Sequence, residues 1–273
     1  MRETARAHER LTQGVDPGIT LRIDGVLPAP VDVFVPERVA GRSDVPLLLH
    51  FMGATWVPRR AVAAMPVPVV VAAVMLGSGS AANARPFADR TLFGRLLEAI
   101  RSQVAARPGA PSLGPVYLSG WSAGYGAIRA ILSDSTDAAK TAGVLLLDGL
   151  HASYVPEQRP LADGGALDTV GLLPFLAFAR RAVGEERRFL ITHSEIFPGT
   201  FASTTETADW LLASLGMRRT PVLEWGPVGS QILSRAKRGG FEVIGLAGNT
   251  APDHVDHLHG MARFVEILLA RSR

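Results

Sequence analysis

Cysteine is absent from the 273 residues, which excludes disulfides, thiolate catalysis and cysteine-ligated metal sites. Long apolar runs are scarce as well. The longest, Ala61 to Leu76, contains Pro66 and Pro68 and falls short of the roughly 20 residues that span a bilayer, so it reads as a buried strand. The opening stretch MRETARAHERLTQGVDPG has no apolar core of a secretory signal, and the expectation is a cytoplasmic protein with no membrane partner. Internal repeats, heptads, low-complexity segments and a dividing linker are all missing, so residues 1–273 are expected to form one domain, with about 1–15 as a flexible N-terminal extension.

Charge of one sign is also in short supply. The formal net charge is +3, and the basic residues, almost all arginine, are scattered in short pairs such as Arg59-Arg60 and Arg218-Arg219 that suit solvated element ends. A nucleic-acid partner calls for a concentrated basic stripe with interleaved aromatics, and none is seen. Hydrophobic residues make up 47% and charged residues 19%, a balance that suits an α/β enzyme whose strands are covered on both faces.

Two alternating segments, Ile19 to Ile23 and Val31 to Val35, flank Gly25 and Pro28 and predict an antiparallel pair at a sheet edge. Continuous apolar runs at Leu47 to Phe51 and Val69 to Met75 predict central strands. Between Asp89 and Arg107 the residues Leu92, Phe93, Leu96, Leu97, Ile100 and Val104 recur at helical spacing. Strand and helix signals then alternate: Val116 to Ser119, a helix carrying Tyr125, Ile128 and Ile131, Val144 to Leu147, a helix over Leu167 to Val183, and Phe189 to Thr192. A capping box at Ser203 and Glu206 precedes Trp210 and Leu211, and Phe241 to Ala247 and Met261 to Leu269 close the pattern as strand and helix. Such alternation predicts a mostly parallel sheet with helical crossovers.

The chemistry centres on Gly120-Trp121-Ser122-Ala123-Gly124. With 28 glycines in the chain the bare Gly-x-Ser-x-Gly pattern carries little, but here it follows a strand and opens a helix, the setting in which such a serine is lifted clear on a sharp turn. The helix beginning at Ala123 adds free N–H groups and a positive dipole end for a developing oxyanion.

This stretch resembles the nucleophile elbow of the α/β-hydrolase superfamily, and the number and order of strands around it extend the resemblance over nearly the whole chain. The resemblance implies an α/β-hydrolase fold with a mostly parallel eight-stranded sheet flanked by helices, and the short segments between the later strands, with one helix and a brief loop from Ala152 to Val183, predict a small or absent lid. It also implies a serine hydrolase with a catalytic triad and an oxyanion hole, with Ser122 as nucleophile and no metal or organic cofactor. A second oxyanion donor is expected in the loop after the third strand, His50-Phe51-Met52-Gly53, where Phe51 departs from the usual His-Gly pattern. Met52 is the first choice and Gly53 the alternative, beside Ala123.

Past the last strand, Asp253-His254-Val255-Asp256-His257-Leu258-His259 offers several imidazoles. His254 lies nearest the strand end and is the first choice of base, with His257 as the alternative. A His/Asp cluster of this kind can also ligate zinc, but the serine elbow supplies another use for a histidine. Two carboxylates fit the third role, Asp148 at the end of Val144 to Leu147 and Glu195 after the next strand; Asp148 is preferred, although Asp-Gly is also an ordinary turn signal. Trp121, His151 and Trp56 are candidate substrate contacts. The expected reaction is hydrolysis of a carboxylic ester of a small, soluble substrate through an acyl-enzyme. The alternatives are an amidase or peptidase on the same triad, or a hydrolase-like binding protein without turnover.

Overall fold

A strand buried on both faces must feed two cores at once, and the sixth strand shows how this chain does so. In Thr141–Leu147 the side chains of Val144 and Leu146 enter one apolar cluster, and those of Leu145 and Leu147 enter another on the opposite face. Full burial of each such residue contributes roughly 1.5–3 kcal/mol. The structure is a computed structural model and describes residues 7–270.

In chain order the elements begin with β1 (Gly18–Ile23), β2 (Val31–Pro36), β3 (Val45–Phe51), α1 (Trp56–Ala64) and β4 (Val70–Val74). They continue with α2 (Ser80–Ala84), α3 (Leu92–Ala105), β5 (Leu113–Trp121), α4 (Tyr125–Leu132), α5 (Ser135–Lys140) and β6 (Thr141–Leu147). A short ribbon, β7 (Tyr154–Val155) with β8 (Ala166–Leu167), leads to α6 (Leu173–Val183), β9 (Arg188–His193) and α7 (Thr204–Ser214). Last come β10 (Thr220–Trp225), β11 (Gln231–Arg238), β12 (Phe241–Leu246), α8 (Ala251–His259) and α9 (Met261–Leu269).

The main sheet has ten strands in the order β1-β2-β4-β3-β5-β6-β9-β12-β11-β10. From β4 to β12 the pairings are parallel, while β1, β2, β10 and β11 join antiparallel at the two ends. The resemblance implies eight strands; β10 and β11 are additional. β10 escapes a reading by periodicity because it is exposed on both faces and carries a register shift between Pro221 and Glu224, and β11 because its inner face mixes Ile232 and Ala236 with the polar Ser234.

Residues of α3, α4, α6 and α7 pack into the first apolar cluster, and those of α1, α8 and α9 into the second. The sheet is thus covered on both faces, as parallel strands require. The apolar run expected as one strand from Ala61 is divided: its first part completes α1, and β4 begins only past Pro66 and Pro68.

The segment expected as a free extension is held down over its described part. His8 and Arg10 bond Asp256 of α8, and Arg60 of α1 pairs with Asp16 and bonds the Thr12 carbonyl. Ion pairs between such distant residues leave no local sequence signal. Among the described residues, no helix is long and apolar enough to cross a membrane.

Candidate active site

Parallel strands aim their carboxyl ends at one edge of the sheet, and the loops leaving β3, β5, β6 and β12 meet there. Three strand-end residues adopt the left-handed backbone region that costs a non-glycine residue about 1–3 kcal/mol: Met52 after β3 (φ 78°), Ser122 after β5 (φ 49°) and Asp148 after β6 (φ 43°). Strain of this kind persists only where the surroundings over-determine it, and it clusters at functional sites.

Close backbone packing holds the elbow. A Cβ at Gly124 would lie 2.3 Å from the Phe51 carbonyl oxygen and 3.0 Å from Met52 Cβ, and one at Gly149 would lie 2.3 Å from the Ser122 carbonyl oxygen. Glycine at these positions lets the β3 and β6 loops press against the turn. A single 3-10 turn, Ser122–Gly124, then opens α4, so its first N–H groups have no intrahelical acceptor.

Asp148 is 2% exposed and accepts three hydrogen bonds. Oδ1 receives the Ser194 N–H at 2.9 Å and the Thr204 hydroxyl at 2.5 Å, and Oδ2 receives His254 Nδ1–H at 2.7 Å. Burial pushes its carboxyl upward, but the neighbouring His257 and His254 and the bonds from His254 and Thr204 outweigh that and hold it well below the usual carboxylate range. An ionised carboxylate only accepts, so Nδ1 of His254 carries the proton and Nε2 is left as a base.

His254 sits in the first turn of α8, whose start is fixed by a capping box between Thr250 and Asp253. Its ring lies 4.8 Å from that of Trp121, whose indole N–H donates to the His254 carbonyl at 3.0 Å. Trp121 thereby ties the residue before Ser122 to the His254–Asp148 pair. The Asp148–His254 pair is closed, whereas the Ser122 hydroxyl makes no hydrogen bond to the imidazole in this resting arrangement; such contacts often tighten only with substrate bound.

The alternatives sit elsewhere. His257 is 1% exposed, its Nδ1 lies 2.8 Å from the Thr192 hydroxyl, and burial holds its pKa down. Glu195 is exposed and exchanges bonds with Gly248, its N–H donating to the Gly248 carbonyl at 2.8 Å. It lines a cavity of about 830 Å³ between α7 and β11, together with His193, Phe197 and Arg219.

The loop after β3 departs from expectation at Met52. The Met52 N–H extends the β3–β4 ladder by donating to the Val74 carbonyl at 3.1 Å, so Met52 is not available as a donor. The N–H of the half-buried Gly53 donates to the thioether of Met75 at 3.4 Å. His50 fixes this geometry. Burial lowers its pKa to about 4, and the neutral ring donates from Nε2 to the Met52 carbonyl at 2.8 Å and accepts at Nδ1 from the Ser119 hydroxyl at 3.0 Å. Phe51, the departure from the His-Gly pattern, sinks its ring into the core edge-on to Phe87.

Of the other expected contacts, Trp121 flanks His254 as described. His151 donates from Nδ1 to the Ala202 carbonyl at 2.9 Å and stands between Tyr125, the residue after the elbow, and Phe201. Trp56 packs instead on His259 and borders a small cavity with Asp32 and Thr55, so it is not drawn to the serine.

Within the weighed metal cluster, His254 is engaged by Asp148, His257 by Thr192 and Asp253 by its cap. His8, Asp253 and Asp256 do bring ligand atoms within 4.8 Å of one another, but the Arg10 guanidinium already neutralises Asp256. Sequence reasoning missed Ser194, Thr204 and Met75. The Ser203–Glu206 capping box places Thr204 at a helix start, but its bond to Asp148 depends on β6 and β9 being neighbours.

No known family profile matches the chain, and no curated protein matches it. Solved structures do. Est1E from Butyrivibrio proteoclasticus matches at 9% identity and TM-score 0.47, covering 93% of this chain and 100% of its own. A structure from a study of two fungal esterases from Rhizomucor miehei matches at 12% and 0.49, covering 93% and 83%. A dienelactone hydrolase-like promiscuous phosphotriesterase from metagenomic libraries matches at 11% and 0.46, covering 93% and 99%. Apart from the added β10 and β11, the chain's own strand order, with helices on both faces of the sheet, is that of the α/β-hydrolase fold.

Proposed function

We propose that this chain is a serine hydrolase that cleaves the carboxylic ester of a small, soluble substrate. The observation that carries the reading is the closed Asp148–His254 pair, 2.7 Å long, set beside a serine in strained backbone geometry at a strand-to-helix turn. A structural role alone does not call for a buried carboxylate that orients a part-exposed imidazole.

In this reading Ser122 Oγ attacks the ester carbonyl as its proton passes to His254 Nε2. The oxyanion is received by the N–H groups of Ala123 and Gly53, and Asp148 stabilises the imidazolium. Collapse breaks the acyl C–O bond, and His254 returns the proton to the departing alcohol. Water, deprotonated by the same imidazole, then attacks the acyl-enzyme, and release of the acid restores Ser122. Protein groups supply every step.

His151, Tyr125 and Phe201 form one wall near the elbow. Between β6 and α6 the excursion carries the small β7–β8 ribbon and two short 3-10 turns, which supports a short acyl group on a soluble alcohol over bulk lipid. The test is turnover of p-nitrophenyl acetate by Ser122→Ala. The reading expects loss of activity with unchanged circular dichroism, and undiminished turnover in the folded variant refutes it.

A further inference from the structure

A chain without cysteine offers an oxidant no thiol, so methionine sulfur becomes its most readily oxidised group. Met52, Met65, Met217 and Met261 are between 0% and 9% exposed, whereas Met75 is 41% exposed. Met1 lies outside the described residues. Oxidant in solution therefore has one methionine within easy reach among those described.

That methionine sits at the site. β4 ends at Val74, whose carbonyl holds the Met52 N–H, and the next residue, Met75, turns its sulfur to the Gly53 N–H at 3.4 Å. A thioether is a weak acceptor, one that an ester carbonyl can displace. A sulfoxide is different, because its oxygen stands one bond out from the sulfur and accepts strongly.

We propose that Met75 is an oxidation site through which hydrogen peroxide inactivates the enzyme, the sulfoxide oxygen occupying the Gly53 N–H that would otherwise receive the oxyanion. The proposal rests on the reading of Gly53 as an oxyanion donor. The step is balanced: a sulfur lone pair attacks one peroxide oxygen, the O–O bond breaks, sulfur is oxidised by two electrons, and water leaves. Methionine sulfoxide reductases of the two epimer specificities reverse it at the expense of a thiol reductant, which has no disulfide in this protein to disturb.

The experiment titrates the full chain with hydrogen peroxide, follows Met75 sulfoxide by peptide mass spectrometry, and measures p-nitrophenyl acetate turnover on the same samples. Activity is expected to fall in step with Met75 oxidation. Full oxidation should lower kcat by about 100-fold, the scale of losing one oxyanion donor, and the reductases should restore it. Met75→Leu, compared with its own untreated rate, should lose no activity at the same peroxide dose. Backbone amide NMR of Gly53 gives a readout independent of catalysis, with a downfield shift expected on oxidation, also in Ser122→Ala. Fully oxidised Met75 with an unmoved Gly53 amide, or equal loss of activity in Met75→Leu, overturns the proposal. A shifted amide in a protein whose Ser122→Ala variant still turns over ester locates the failure in the catalytic reading instead.

Discussion

Replacing Asp148 by asparagine changes one oxygen to an NH₂ group and should leave the fold intact, yet it should nearly abolish turnover. Two donors, the Ser194 N–H and the Thr204 hydroxyl, point at one carboxylate oxygen, and His254 points at the other. In the Asp148→Asn variant the amide oxygen is drawn to the position with two donors, which turns the NH₂ toward His254. The imidazole must then accept at Nδ1 and carry its proton on Nε2, the tautomer that cannot deprotonate Ser122. A wrong tautomer of this kind lowers kcat by about 10⁴-fold, or roughly 5 kcal/mol of barrier. Glu195→Gln alters an exposed group tied to Gly248 and should leave kcat within about a factor of three, as befits a surface change. Steady-state hydrolysis of p-nitrophenyl acetate by both variants, with circular dichroism to establish folding, reads the difference. A folded Asp148→Asn enzyme within tenfold of the parent, or a larger loss in Glu195→Gln, would refute the assignment of the acid.

Further outcomes follow from the same geometry. His50 and His193 are buried with pKa values held near 4 by desolvation, so below pH 6.5 the unfolded chain takes up protons that the folded chain refuses. Stability is therefore full above pH 6.5 and falls as the solution is acidified towards 4; by pH 5 each histidine should cost about 2 kcal/mol, measurable by urea unfolding at pH 7 and 5, and an unchanged midpoint would contradict the burial argument. Gly124→Ala drives a Cβ against the Phe51 carbonyl at 2.3 Å and should cost about 3 kcal/mol or more with loss of turnover, since backbone contacts cannot give way cheaply; an unshifted thermal midpoint would argue against the packed elbow. Thr250→Ala removes the cap of α8 and should cost about 1 kcal/mol, with a lower kcat because His254 lies in the first turn it secures. His257→Gln should lower stability by about 1–3 kcal/mol, the cost of disturbing a buried hydrogen-bonded group, while retaining far more activity than His254→Ala; the reverse ranking would make His257 the base.

Elements with an unbroken local signal were readable without coordinates. The closing helix Met261–Leu269, the capping box at Ser203 and the elbow at Ser122 each lie within a few residues and follow from periodicity, capping or turn chemistry. Asp148 and His254 stand out as candidates in the sequence because strand ends deliver them, whereas the bond that joins them spans 106 positions and leaves no local signal. The engagement of the Met52 N–H was not legible, since its bond to the Val74 carbonyl depends on the register between β3 and β4. The edge strand β10 was hidden for a different reason: its exposure on both faces erases alternation. In α1 the arginines at 59 and 60 look like a solvated element end, whereas Asp16 and the Thr12 and Gly14 carbonyls bind them.

The most direct test is labelling with a fluorophosphonate, which bonds covalently to a serine only when a base activates it, followed by peptide mass spectrometry. One adduct per chain on Ser122, absent in Ser122→Ala and strongly slowed in His254→Ala and Asp148→Asn, is the predicted result. A folded protein that takes up no label, or carries it on another residue while Ser122→Ala still hydrolyses ester, would contradict the account.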